Sequence, residues 1–250
     1  MKALKFTLKG ETAFFKKPDV NTYMYFTYGN LHKVALLGLL GAVLGLKGYS
    51  QQEGATYPEF YEVLKNLKVA IIPRVREGSG NLPGIMGKKV QTFNNSVGYA
   101  SAEAGGNLIV KEQWLERPIW DVYIREGHSF YAKLVEKILN RQCVYVPYLG
   151  KNDHMATIEE ECEVELEEIH EASVIQSLFL KSEFVMTEDD EEDFFESGET
   201  YYKYEEKLPL KLEPEHNQYE VATFIATNKK MKTSGKELLY QYHNQVLYFF

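Results

Sequence analysis

The chain has 250 residues, of which 44% are hydrophobic and 26% charged, with a formal net charge of −8. That length can bury a real core, as one large domain or as a domain with an appendage. Only Cys143 and Cys162 occur, without a C-x-x-C pair. His128, His154, His170, His216 and His243 are scattered, and neither a G-x-S-x-G nor a P-loop is present. A disulfide framework, a zinc site, a hydrolase triad and an ATPase are therefore not indicated, and no cofactor is expected.

The net charge conceals an asymmetry. Residues 1–155 carry 20 Lys and Arg against 13 Asp and Glu, whereas residues 156–250 carry 8 against 23. A first part at +7 and a second at −15 suggest that an anionic partner meets the first part. The acidic part would face solvent or a basic protein neighbour.

In chain order, residues 2–9 alternate polar and apolar side chains like a half-buried strand and show no apolar core of a secretory signal, which points to the cytoplasm. The apolar run Val34 to Leu46 is too short to cross a bilayer and predicts a buried helix over 32–46. Gly38, Gly41 and Gly45 share one face of it, so another backbone is expected to approach closely there. Asn30 is the expected N-cap. His32 and Lys33 then put basic groups in the first turn, where the helix dipole favours acidic ones. A bound anion would resolve that conflict, the alternative being an exposed turn that tolerates both residues.

Strands follow at 68–73 and 118–125, then a helix at 129–141 and a strand at 143–148. The order βαββαβ defines an α+β, ferredoxin-like (RRM-like) domain over 1–150, with two helices on one face of a four-stranded antiparallel sheet and the other face free. The central strands are separated by a glycine-rich, basic stretch from about 74 to 111, too long for a simple turn. VQTF and VGYA within it suggest a hairpin arm suited to gripping a phosphate chain, with Arg74, Arg76, Lys88 and Lys89 at its base. Beyond residue 150, the segment TIEEECEVELEEI and the acidic run TEDDEEDFFESGE precede the strand-like YYKYEEKLPLKLEP and QYEVATFIAT. A mostly β region over 151–250 is expected, with the acidic run as a solvated loop. Asp153 and His154 read as a turn.

These segments together carry a resemblance. The opening strand followed by Gly10, Ala13, Phe15 and Pro18 in a G-x-x-A-x-F-x-x-P pattern, the glycine-punctuated helix from Leu36 to Leu46, PYLGKNDHMA at 147–156 and LPLKLEPEHNQYEVATFIAT at 208–227 resemble the Cas-five family. This is the RAMP subunit of CRISPR type I Cascade complexes that caps the 5′ handle of the crRNA, and the likeness is greatest to its type I-B branch. The resemblance implies a thumb hairpin inserted in the ferredoxin-like domain. It also implies a guide RNA held by Lys16 and Lys17, by Asn30 to Lys33 and by the thumb. Lys16 stands where many relatives have arginine, which lowers the expectation of a bidentate phosphate contact there. Tyr23, Tyr25, Tyr28 and Phe93 are candidate stacking platforms for splayed bases.

The expectation is thus a non-catalytic, cytoplasmic RNA-binding subunit. Its partners would be the crRNA handle, the Cascade backbone filament subunit and large subunit, and indirectly target DNA near the PAM-proximal end, with no membrane. One alternative is a metal-independent endoribonuclease that processes pre-crRNA, with His32 taking the 2′-OH proton, a role that the capping subunit holds in the type I-C branch. The glycine-rich loop of the dedicated processing enzymes is missing from NKKMKTSGKELL. Another alternative is a protein-interaction module without RNA affinity.

Overall fold

The computed structural model describes residues 1–19, 23–75, 78, 80–82, 84–94, 102, 104, 109–186, 201–232 and 238–250. In chain order these form β1 (Lys2–Lys9), β2 (Thr12–Ala13), β3 (Met24–Tyr25), α1 (Lys33–Leu44), α2 (Glu59–Leu64), β4 (Val69–Pro73), β5 (Gly87–Asn94), β6 (Ile109–Glu116) and β7 (Ile119–Arg125). They continue with α3 (Tyr131–Leu139), β8 (Thr157–Glu165), β9 (Glu167–Ile169), β10 (Phe179–Leu180), β11 (Val185–Met186), β12 (Lys203–Leu212), β13 (Tyr219–Thr227), β14 (Met231–Lys232), β15 (Leu239–Tyr242) and β16 (Gln245–Tyr248). The fold is α+β, mostly strands with few helices. Among the described residues, no helix is long and apolar enough to cross a membrane.

Alternation builds the first sheet. Strands β4, β7, β1 and β8 lie in that order, each antiparallel to its neighbour. Leu4 faces Ile124, Phe6 faces Val122 and Leu8 faces Trp120 across the β1–β7 ladder. All six are fully buried in the larger core, together with residues of α1, α2 and α3. Helix α1 is apolar nearly all round, as a helix buried on several sides should be. A Cβ at Gly41 would fall 2.5 Å from the Cβ of Phe60, so the expected close approach occurs there and the neighbour is α2. Gly38 has ordinary clearance, and Gly45 ends the helix at a φ of +80° that favours glycine.

Two expectations are corrected. Residues 143–148 form no strand; the N–H groups of Val144 and Tyr145 donate to the Val43 and Ala42 carbonyls at 3.1 and 3.0 Å, closing the end of α1. The fourth strand is β8, drawn from the acidic stretch, so this sheet extends past residue 150. It is an edge strand, where outward carboxylates cost little and discourage pairing with another chain. The second sheet face is also not free. Around Ala3, Ala70 and Tyr123 it is covered by Tyr240, Leu247 and Phe249, a second apolar layer. Phe250 exchanges two backbone hydrogen bonds with Val69, at 3.2 and 3.1 Å.

The later region forms strands where the sequence places them. β12 and β13 pair antiparallel from Lys203 opposite Thr227 to Leu212 opposite Tyr219, and β10 adds to β13. The run TEDDEEDFFESGE lies outside the described residues.

Candidate nucleic-acid interface

The stretch between the central strands contains a hairpin. β5 pairs antiparallel with β6, placing Lys88 opposite Leu115, Lys89 opposite Trp114 and Phe93 opposite Val110. VQTF belongs to β5 and pairs with residues 110–113 of β6; VGYA (97–100) and Arg76 lie outside the described residues. The base is fixed by β2 and β3, which also pair with β6. Alternation divides β5 into an exposed side with Lys88, Val90 and Thr92 and a half-buried side with Lys89, Gln91 and Phe93. Phe93 packs on Trp114 at 5.5 Å between ring centroids, beneath the Lys151 ammonium at 5.7 Å. It serves as a hairpin anchor. Lys89 lies 5.8 Å from the Trp114 ring.

Two of the sequence motifs meet beside this hairpin. Phe14 N–H donates to the Leu149 carbonyl at 3.1 Å, and Thr12 Oγ1 and His154 Nδ1 are hydrogen-bonded at 2.6 Å. Two glycines allow this interlock. A Cβ at Gly10 would lie 2.7 Å from Leu149 Cδ1, and one at Gly150, where φ is +88°, would lie 2.0 Å from the Phe14 carbonyl oxygen. His154 is 1% exposed and meets Trp114 edge-on at 4.6 Å. Burial lowers its pKa. The expected turn at 153–154 is present, with His154 N–H donating to the Lys151 carbonyl at 3.0 Å.

Four of the residues expected to bind RNA, Tyr28, Asn30, His32 and Lys33, are buried. Asn30 is fully buried; its Nδ2 donates to the Gly84 carbonyl at 2.9 Å and its Oδ1 accepts from Trp120 Nε1 at 3.0 Å. It does not cap α1. That role falls to His32, whose Nδ1 accepts the Ala35 N–H at 3.2 Å. His32 is 3% exposed and ringed by Phe15, Tyr28 and Tyr219, and burial lowers its pKa to about 3. Lys33 is buried and donates to the Phe250 main-chain oxygen at 3.1 Å; burial, with Lys68 and Lys211 adding to it, lowers its pKa to about 8. Both basic residues of the first turn therefore have partners within the chain, His32 through the Ala35 N–H and Lys33 through the Phe250 main-chain oxygen.

Tyr28 is also buried, which with the charge of Asp19 raises its pKa to about 12. Arg74 pairs with Asp121 at 3.3 Å and Glu160 at 3.7 Å. Lys17 pairs with Glu206. Lys16 remains at the surface, its ammonium 3.9 Å from the Tyr25 ring centroid. Tyr23 is 85% exposed.

Lys16 borders a groove of about 870 Å³ that runs along the outer side of α1. Its lining includes Ala35, Gly38 and Ala42 of α1, the rings of Phe14, Tyr49, Phe60, Tyr145, Tyr148 and Tyr219, and Lys16 and Lys151, the last pairing with Glu112 at 3.2 Å and Asp153 at 3.3 Å. Among the described residues, no Asp or Glu lines it. Tyr49, Tyr145 and Tyr148 are about half exposed, at 50%, 55% and 45%. These tyrosines were not legible as a group, because Tyr49 and Tyr145 are far apart in sequence and only the turn after α1 and the α1-capping segment bring them together.

No family model matches the chain, and no curated protein matches it. Among solved structures, it is similar to a CRISPR protein from Archaeoglobus fulgidus, with 9% identity, 99% of this chain and 98% of that chain covered, and a TM-score of 0.49. It is also similar to a chain of a CRISPR RNA-guided surveillance complex, with 11% identity, 93% and 91% covered, and a TM-score of 0.48. A chain of a type III-B Cmr-beta complex bound to cognate target RNA and AMPPnP is similar with 12% identity, 93% and 86% covered, and a TM-score of 0.45. With TM-scores below 0.5, these likenesses carry no argument for function.

Proposed function

We propose that the chain is a non-catalytic RNA-binding subunit of a CRISPR type I Cascade effector complex, of the type I-B kind, that caps the 5′ handle of the crRNA. In this reading it acts in the cytoplasm in antiviral defence or guided DNA targeting, and bridges the backbone and large subunits. The observation that carries the reading is the groove on α1: a ring-lined channel whose lining includes Lys16 and Lys151 and no carboxylate among the described residues, in a chain of net charge −8. Aromatic platforms with a cationic border suit unstacked bases and their phosphates.

The order β4-β7-β1-β8 supports reading the first sheet as ferredoxin-like with β5–β6 as its thumb. The non-catalytic part rests on His32, whose Nδ1 is committed to the helix cap and whose ring is buried among aromatics. A general base must reach the proton that it removes.

The test is fluorescence anisotropy with a labelled repeat RNA in EDTA across a salt series. Binding is expected to weaken steeply as salt rises, with the RNA left intact. Tyr148→Ala is expected to weaken binding about tenfold at constant salt slope, whereas Lys88→Ala is expected to make the slope shallower by about 0.7. RNA affinity that is absent even at low salt would leave the protein-interaction reading in its place.

A further inference from the structure

Glu206 has an unusual set of partners. Residues 15–17 and 26–28 lie side by side, with Lys17 N–H donating to the Phe26 carbonyl and Tyr28 N–H to the Phe15 carbonyl, both at 2.8 Å. This brings the Lys17 side chain and the Gly29 amide to the same place. Glu206 reaches in from β12: one carboxylate oxygen pairs with the Lys17 ammonium, and the other accepts the Gly29 N–H at 2.7 Å and the Tyr204 hydroxyl. A Cβ at Gly29 would lie 2.9 Å from that second oxygen, so a larger residue there would push the carboxylate aside. Burial lowers the pKa of Lys88 on β5, with the Glu206 carboxylate opposing that shift and the Lys17 ammonium adding to it. The Lys17 and Glu206 side chains are 27% and 15% exposed, so the place is within reach of solvent.

An ammonium, a backbone N–H and a hydroxyl converging on two oxygens suit a phosphate group as well as a carboxylate. We propose that this is a seat for one backbone phosphate of a single-stranded RNA, closed in the free protein by Glu206, and that a bound strand displaces the carboxylate. The proposal rests on the RNA-binding reading above. Two of its three donors, Lys17 and Gly29, lie on the basic first part of the chain, whereas the third, Tyr204, shares β12 with its occupant on the acidic second part. Glu206 therefore acts as an internal competitor: a strand already held by the groove and by Lys88 can enter, whereas loose anions are kept out.

The experiment compares the wild type and Glu206→Gln for affinity toward a labelled single-stranded RNA over a salt series, with thermal unfolding recorded for each. In the wild type, a phosphate taken by Lys17 releases a carboxylate that regains a cation, so the two counterion terms nearly cancel. Glu206→Gln removes that compensation. It is expected to bind about tenfold more tightly, with a salt slope steeper by about 0.7. Glu206→Asp, which shortens the carboxylate and loosens its hold while leaving every donor of the seat in place, is expected to give a smaller gain and is the reporter if Glu206→Gln fails to fold. Equal affinity and slope in the wild type and the folded variants would overturn the seat and leave Glu206 as a structural clamp. Absence of binding by all of them at the lowest salt would overturn the RNA reading itself, and the seat with it.

Discussion

His32 shows how position sets the chemistry of a residue. Its ring is enclosed by Phe15, Tyr28 and Tyr219, and its Nδ1 accepts a helix amide, so the proton that a free imidazole takes near pH 6.5 is refused down to about 3. The unfolded chain binds that proton and the folded chain does not, so stability is full above pH 6.5 and falls as the pH drops from 6.5 toward 3. The expected loss is about 2 kcal/mol by pH 5, read as a urea midpoint that shifts with pH. His32→Asn keeps a capping side chain and is expected to flatten that limb.

The same residue marks what the sequence could and could not reveal at this scale. That something unusual happens at the start of α1 was legible from basic residues in the first turn. That His32 would be the cap was not, because Asn30 is the better local choice and is drawn away by Trp120, ninety positions on. The neutralisation of Lys17 and Arg74 was equally hidden, since Glu206, Asp121 and Glu160 are distant in sequence.

Among elements, β1 and α3 were legible from their periodicity, α1 from its unbroken apolar run, β4 and β7 from their β-branched and aromatic density, and the β12–β13 hairpin from its strand-like sequence. The alternation in β8 was legible as part of the later β region, but its place as the fourth strand of the first sheet was not, because its partner β1 is more than a hundred residues away. The strand that pairs with β5 was only partly legible, because β6 begins inside the expected insertion and runs on past its expected end at 111 to Glu116. The interlock between the loop after β1 and the turn at 147–156 explains why glycines punctuate both. Gly150→Ala would drive a Cβ into the Phe14 carbonyl at a φ of +88°. A cost of about 3 kcal/mol is expected in equilibrium unfolding, combining backbone strain with the displaced turn. Loss of RNA affinity should accompany it, since Lys16 and Lys151 border the groove from these two segments.

At the scale of the whole molecule, the opposed charges of the two parts are drawn together through pairs that link them, such as Lys17 with Glu206 and Lys9 with Glu159. The first sheet is a shared structure, with apolar layers on both faces. Leu247 is fully buried in the second layer over Ala3, Ala70 and Tyr123. Leu247→Ala is expected to cost about 3 kcal/mol, with a single unfolding transition followed by both tyrosine and tryptophan fluorescence. Two separated transitions would mean that the later strands fold as an independent unit.

The place of β1 has a further consequence for biogenesis. It is an inner strand of its sheet, yet its two neighbours, β7 and β8, are made more than a hundred residues later. At synthesis rates of roughly 5–20 residues per second, Leu4, Phe6 and Leu8 wait for on the order of ten seconds before either flank can close. During that interval the nascent chain carries an unpaired apolar ribbon, so yield in a cell should depend on chaperone supply and translation speed more than on the stability of the finished protein.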